Sequence, residues 1–257
     1  MINLKTKEEI EIMKHGGKIL AEVLEEVTGN IKIGVSELEL DRMAERLILE
    51  KGGEPGFKKV DGYKYTICIS TNDVVVHGIP TDYKLKEGDV VGIDCGVYYG
   101  GFHTDMAQTV QVRDLRVKNQ SLDEVSKFLD VGEKTMWSGI RAAKAGQRVG
   151  DVSKAIQSMV EGQGYSVVRS LIGHGVGREL HEEPEVPGFL DGSILKTPLL
   201  KEGMTIAIEV IYNMGKSDVV YSNDDGWTIK TKDGSLSGLF ERTIAITKAG
   251  MEVLTQK

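Results

Sequence analysis

The stretch that most constrains this chain runs from Val90 to Asp105. An apolar arm, Val90-Val91-Gly92-Ile93, ends on Asp94. Cys95-Gly96-Val97-Tyr98-Tyr99-Gly100-Gly101 leads through a Tyr/Gly turn, and the return arm, Phe102-His103-Thr104, ends on Asp105. With the turn centred on Tyr99-Gly100, the two aspartates face each other across an antiparallel pair, their Cβ atoms roughly 5 Å apart. Carboxylates that close repel at a cost on the order of 1 kcal/mol even in a wet setting. A shared proton or a cation must offset the repulsion, so whatever fold forms has to supply one of the two.

The 257 residues suffice for a sizeable core, as one large domain or two smaller ones. A net charge of −7 argues against bulk attraction to nucleic acid or to an anionic membrane. No apolar run approaches the roughly 18 residues of a membrane span. The start, Met1-Ile2-Asn3-Leu4-Lys5, leads directly into a charged helical pattern and reads as no signal peptide. Cys68 and Cys95 each sit in a strand-like apolar run and read as reduced, buried thiols suited to the cytoplasm.

Thr6 followed by Glu9 forms a capping box for a helix over 6–28, with Ile10, Met13, Gly17, Leu20 and Leu24 at helical spacing. Ser36 followed by Glu39 opens a second helix to about Glu50, which Lys51-Gly52-Gly53 stops. Residues 54–63 read as loop, Thr66–Ser70 and Val74–His77 as short strands, 121–144 and 150–163 as helices, and the region from 204 onward as two or more strands. This order of elements occurs twice. Leu85-Lys86-Glu87-Gly88 through Asp94 matches Leu200-Lys201-Glu202-Gly203 through Glu209 at an offset of 115. His77-Gly78-Ile79 pairs with His174-Gly175-Val176, Gly34 with Gly146, and Gly101 through Asp105 with Gly238 through Glu241. The expected organisation is therefore one domain, 1–257, with an internal repeat of roughly 1–115 and 116–257 joined by the charge-alternating stretch 112–120. Two half-folds about a pseudo-two-fold would bring both acidic hairpins to one centre.

That centre would hold Asp94, Asp105, Glu209, Glu241 and at least one histidine. Four carboxylates and an imidazole suit Mn²⁺, Fe²⁺, Co²⁺ or Zn²⁺ better than a thiolate-loving metal. Their four negative charges balance two divalent cations, which polarise a carbonyl and lower the pKa of a bridging water. A lone aspartate is ordinarily a surface carboxylate; these acids end apolar strands, where an unpaired charge is expensive. The second rich stretch, Gly173-His174-Gly175-Val176-Gly177-Arg178-Glu179-Leu180-His181-Glu182-Glu183-Pro184, surrounds its first histidine with glycines that permit close approach. It is otherwise a Gly-rich turn with incidental histidines, and phosphate binding is disfavoured because no clear helix start follows. Four of the five histidines, 77, 103, 174 and 181, fall in or beside the repeated arms, while His15 lies on the first helix and reads as structural.

With Val76-His77-Gly78-Ile79-Pro80, Ile93-Asp94-Cys95-Gly96-Val97, Gly173 to Gly177, His181-Glu182-Glu183-Pro184 and Asp225-Gly226-Trp227-Thr228-Ile229-Lys230-Thr231-Lys232-Asp233, nearly the whole chain resembles the type I methionine aminopeptidases of the pita-bread metallopeptidase class. The resemblance implies an α+β pita-bread fold: two pseudo-symmetric halves and a curved antiparallel sheet with helices on one face. It implies removal of initiator methionine ahead of a small second residue, with Asp94 chelating one ion, Asp105 and Glu241 bridging two, and His174 and Glu209 completing the tighter site. Glu209 would move the proton of the attacking water to the leaving amine, His181 would hydrogen-bond the scissile carbonyl, and His77 would touch the substrate beside it. Tyr63, Cys68 and Trp227 would line the pocket for the methionine side chain.

Only 27 residues separate His181 from Glu209, too few for the helical insertion of type II members, and the zinc-binding N-terminal extension of longer forms is not seen. The resemblance further implies nascent polypeptide N-termini as substrate, contact with the ribosome, a cytoplasmic monomer, and no membrane or nucleic-acid motif. The chain departs from the family where Val210 replaces the usual Pro, Arg242 the usual His, Ser237-Gly238-Leu239 the usual Ser-Ala-Gln, Leu180 a common aromatic and Phe57 a frequent Cys. Two other readings stand beside this one: a prolidase or X-Pro peptidase of the same class, and a non-catalytic binding module. The first usually has a large extra N-terminal domain and more histidines at the metals; the second loses metal ligands, and all five are present here.

Overall fold

Gly100 and Gly101 have φ of 57° and 93°, so the central hairpin turns through them and not through Tyr99-Gly100. A two-residue hairpin whose strands keep their twist needs positive φ at both central positions, which two glycines supply without strain and a tyrosine would not. The turn moves by one residue, and the cross-strand register moves by two. Asp94 pairs with Ala107, and Asp105 with Gly96. The two aspartates are therefore diagonal neighbours and not directly opposed. A shift of two leaves both on the same face of the sheet.

This computed structural model describes residues 2–113, 124–222 and 225–257. The helices are α1 (Lys7–Gly29), α2 (Glu37–Glu50), α3 (Glu124–Ala142) and α4 (Val149–Gly162). The strands of the first half are β1 (Glu54–Pro55), β2 (Ile67–Thr71), β3 (Val74–Val76), β4 (Val90–Tyr99) and β5 (Phe102–Gln111). The second half carries β6 (Ser166–Val167), β7 (Gly173–Gly175), β8 (Glu182–Val186), β9 (Thr205–Asn213), β10 (Val219–Tyr221), β11 (Ile229–Thr231), β12 (Ser237–Thr247) and β13 (Gly250–Val253). Most of the expected joining stretch, residues 114–120, and the expected start of the third helix lie outside the described residues. A short 3-10 turn, Phe57–Lys59, and the two residues of β1 occupy part of the expected loop 54–63.

Ten strands form one antiparallel sheet with the path β1-β4-β5-β12-β9-β7-β8, with β2 on β4, β6 on β9 and β13 on β12. A separate three-stranded sheet runs β10-β11-β3. The capping boxes expected at Thr6 and Ser36 both close on the N3 glutamate. The buried face of α1 packs, with α2, on Ile67, Ile69, Ile93, Cys95 and Val97. The helices α3 and α4 pack on Ile206, Ile208, Val210, Tyr212, Phe240 and Ile244 of the second half. Strand alternation turns the other set of residues, Cys68, Asp94, Asp105, Glu209 and Glu241, to the face without helices. The same alternation separates the cysteines. Cys95 faces the helices and Cys68 a cavity, and both are free, buried thiols.

The two halves make matching backbone bonds. Gly34 N–H reaches Leu85 O at 2.8 Å and Gly146 N–H reaches Leu200 O at 3.0 Å; Gly88 N–H reaches Val112 O and Gly203 N–H reaches Ile246 O. Asp94 and Glu209 hold equivalent places, since Asp94 pairs with Ala107 on β5 and Glu209 with Glu241 on β12. Glu241 thus corresponds to Ala107, and Asp105 to Leu239, so the acids on the two return arms are not equivalents. Nor are the two histidine motifs. His174 lies on β7 beside β9, while His77 follows β3 in the separate sheet.

Where the halves meet, β5 and β12 pair only through Glu241 with Ala107 and Arg242 with Met106. At both ends of this ladder a threonine hydroxyl replaces the next backbone pair. Thr243 Oγ1 accepts from Asp105 N–H at 2.9 Å and donates to Asp105 O at 2.8 Å; Thr109 Oγ1 accepts from Leu239 N–H and donates to Leu239 O at the same distances. Thr243→Val leaves the buried Asp105 N–H without a partner and should cost about 1–3 kcal/mol. Urea denaturation of the purified variant measures this, and an unchanged midpoint and slope would show that the seam does not depend on the hydroxyl.

Candidate metal centre and its pocket

Following the pairing across the sheet, one row reads Cys68, Asp94, Ala107, Glu241, Glu209 over β2, β4, β5, β12 and β9. Directly paired residues share a face, so the row sets three carboxylates on one side of the sheet, with Ala107 leaving room between Asp94 and Glu241. Asp105 joins them from two residues along β5. His174 enters from β7, where backbone glycines on both sides lie too close to neighbouring strands for any side chain. A Cβ at Gly173 would fall 2.6 Å from Ala207 O, and one at Gly175 2.3 Å from Glu183 O. One ligand atom each from Asp105, His174 and Glu241 lie within 4.8 Å of one another.

The imidazole of His174 is held as one tautomer. Its Nδ1 lies 2.8 Å from Gly175 O, and a carbonyl can only accept, so Nδ1 carries the proton and Nε2 presents a lone pair to the cavity. Burial lowers its pKa to about 3. Nε2 is 3.5 Å from Glu209 Oε1, but this is no ion pair, because burial pushes both partners toward their neutral forms.

The carboxylates show what the row costs. Burial raises Asp94 to about 7, a hydrogen bond with Asp105 restraining the rise, and raises Asp105, Glu209 and Glu241 well above the carboxylate range, helped by their mutual repulsion. Even so, Asp94 Oδ1 and Glu241 Oε1 are buried with no hydrogen-bond partner. A proton shared between Asp94 and Asp105 answers only part of the problem. Lone pairs left over on buried oxygens, beside an imidazole with its own lone pair turned inward, fit a divalent cation of the hard-to-borderline kind.

Above this floor lies a cavity of about 110 Å³, with Phe57, Val60, Tyr63, Cys68, Leu180 and Trp227 as its apolar wall. Tyr63 donates to Ile67 O at 2.8 Å and meets Trp227 edge-on, 5.1 Å between ring centroids. Trp227 is placed by a local turn in which Asp225 accepts from the N–H groups of Trp227 and Thr228, both at 2.8 Å. The expected pocket residues Tyr63, Cys68 and Trp227 are thus together, and the departures Phe57 and Leu180 extend the same wall. Val60 also lines it, and its only signal in the sequence is an apolar side chain within a stretch that reads as loop.

His77 has φ of 56°, rare for a non-glycine residue and the reason β3 stops one residue earlier than expected. The kink turns its ring into the cavity, where burial and the neighbouring His181 lower its pKa to about 4. His181 is the most open of the three, at the mouth, its ring 4.4 Å from that of His174. A wider cavity of about 430 Å³ continues outward past His77, His174 and His181 to Leu171, Ile172 and Glu185. His103 stays outside both lining sets, packed on Tyr98, and His15 stacks on Tyr99.

Two departures fall on the far side of the sheet. Val210 is buried among the residues facing α3 and α4. Arg242 reaches Glu241 O at 2.7 Å and Ala107 O at 3.1 Å, bracing the seam, and burial lowers its pKa to about 10. Neither side chain touches the cavity.

The profile of metallopeptidase family M24 matches residues 11–248. Over 99% of both chains, 44% of residues are identical with the methionine aminopeptidase of Clostridium perfringens. Identity is 43% with methionine aminopeptidase 1 of Bacillus subtilis, over the whole of both. The crystal structure of the methionine aminopeptidase of Thermotoga maritima superposes with a TM-score of 0.93 at 41% identity, again over the whole of both chains. The fold is accordingly the α+β pita-bread fold of these structures.

Because burial pushes the carboxylates toward their protonated forms and a cation needs them ionised, metal binding should release protons. His77 and His174 add none above about pH 5, because burial lowers them to about 4 and about 3, and burial lowers His181 too. Titration calorimetry at pH 7 in buffers of different ionisation heat should show release of about one proton or more per site filled, with affinity rising from pH 6 to 8. No release and a flat affinity above pH 6 would mean that the acids are already ionised.

Proposed function

The chain belongs to metallopeptidase family M24, and we propose that it hydrolyses the N-terminal methionine from nascent proteins and peptides with a small second residue. The observation that carries this is the row of buried acids with unpaired oxygens, roofed by an apolar and partly sulfur-lined pocket. The enzyme is a metal-dependent hydrolase. Our finer reading is that Asp94, Asp105, His174, Glu209 and Glu241 would hold two divalent ions, of Co, Mn, Fe or Zn. When bound, they supply Lewis-acid polarisation and a water acidic enough to be a nucleophile at neutral pH.

The residues of the chain do the rest. Tyr63, Cys68 and Trp227, with Phe57 and Leu180, enclose the thioether side chain, for which polarisable and aromatic surfaces are good partners. That seats the scissile carbonyl over the acids. Glu209 takes the proton of the attacking water and returns it to the leaving amine as the C–N bond breaks. His181, neutral, donates a hydrogen bond to the carbonyl oxygen as charge builds there. His77, also neutral, contacts the peptide beside the scissile bond. The remainder of the substrate leaves through the wider outer cavity. We read the chain as one catalytic domain of two similar halves, a cytoplasmic monomer that meets nascent chains at the ribosome; no helix among the described residues is long and apolar enough to cross a membrane.

With Mn²⁺, Fe²⁺, Co²⁺ or Zn²⁺ supplied, Met-Ala-Ser should be cleaved and Met-Leu-Ser should not. Asp105→Asn should abolish turnover and lower metal content measured by mass spectrometry. Glu209→Gln should lower kcat by about 10²-fold or more. Retention of full activity by Asp105→Asn would overturn the assigned chemistry.

A further inference from the structure

The acids stand on strands, but His181, like most of the apolar wall, is carried by a loop. Among the described residues nothing hydrogen-bonds its ring, which meets that of His174 edge-on, so the backbone of residues 177–182 and this one ring contact set where it sits. That backbone is tied down at several points. His103 N–H, at the start of β5, donates to Gly177 O at 2.7 Å, and Gly177 N–H donates to Glu179 O at 3.0 Å. Arg178 pairs with Glu9 of α1 at the surface. The innermost tie is the ion pair of Glu182, the residue after His181, with Lys5. Their side chains are 4% and 1% exposed.

Lys5 is itself anchored, its N–H donating to Gly203 O at 2.7 Å in the turn before β9. The other oxygen of Glu182 accepts from Glu179 N–H at 3.3 Å and closes the loop on itself. Gly177 lies so near the lysine that a Cβ would fall 2.3 Å from its Cε and 2.5 Å from its Nζ. The arm ahead of α1, the turn before β9 and the loop carrying His181 therefore meet at one dry charge pair.

We propose that Lys5 is a positioning residue for the reaction: through its ion pair with Glu182 it straps the 177–182 loop to the N-terminal arm and holds His181 over the scissile carbonyl. The proposal rests on the aminopeptidase reading, in which His181 donates to that carbonyl. A buried ion pair is weak as a source of stability, since apolar residues in its place often do as well. It differs from an apolar contact in direction, fixing one atom of the loop against one atom of the arm. A catalytic donor displaced by about 1 Å can cost on the order of 10² in rate.

The test uses the full-length, metal-loaded enzyme and Met-Ala-Ser. Lys5→Met should lower kcat about tenfold or more, with KM within about twofold of wild type and metal content unchanged. Lys5→Met also leaves a buried carboxylate unpaired, so its melting temperature will fall. Lys5→Met/Glu182→Gln removes that charge and should recover the melting temperature but not kcat. In a His181→Ala background, itself slower by about 10²-fold, Lys5→Met should cost nothing more. Wild-type kcat in Lys5→Met, recovery of kcat together with stability in the double variant, or equal losses in both backgrounds would each overturn the strap. A wild-type enzyme that fails to cleave Met-Ala-Ser with any of the four metals would instead overturn the functional reading on which the strap depends.

Discussion

The structure is organised around a repulsion. Four carboxyl groups share one face of the sheet, with two of their oxygens buried and unpartnered. Two unit charges 4–5 Å apart repel by about 3–4 kcal/mol at an effective dielectric near 20. Without cations, burial and this repulsion push all four acids toward their protonated forms. The fold tolerates the expense because each acid is one residue of a strand whose other face is committed to the core. Asp94 cannot leave without carrying Ile93 and Cys95 away from α1 and α2.

Placing the acids takes two halves and a deliberate weakness between them. Two paired residues, bracketed by Thr109 and Thr243, keep the halves joined with their backbone groups satisfied. Ala107, small and central, stands where the second half has Glu241, and the departure from symmetry opens the space between Asp94 and Glu241. Arg242 braces the same seam from the helix side, which is how the residue beside Glu241 can differ from its usual family type without entering the cavity.

The three histidines reach the cavity by different means, and this divides their roles. His174 is locked by its own backbone and offers one lone pair. His77 is turned inward by a backbone conformation that few non-glycine residues accept. His181 rides on a loop whose position is inherited from the buried Lys5–Glu182 pair.

Much of this was legible in the order of residues. Helix caps at Thr6 and Ser36, apolar spacing, and acids ending apolar strands are local properties, and local physics reads them correctly. The acid-ended motifs and the Gly/His stretch named the family and the residues that meet in the cavity. Register was another matter. Whether Asp94 opposes Asp105 depends on which residues accept positive φ, and the glycine pair moved the turn. The equivalence of the halves was also misplaced at His77 and Asp105, because matching letters do not reveal which strand is whose neighbour. Lys5 and Thr243 had no signal at all: an ordinary lysine near the start and a threonine in a strand acquire meaning only when residues 177 and 138 positions away come within hydrogen-bonding distance. The sequence by itself determined which side chains can face one centre, since strand periodicity is a property of the chain. Only the tertiary structure decided their register, their burial and what holds His181, because those follow from contacts between segments that no local pattern relates.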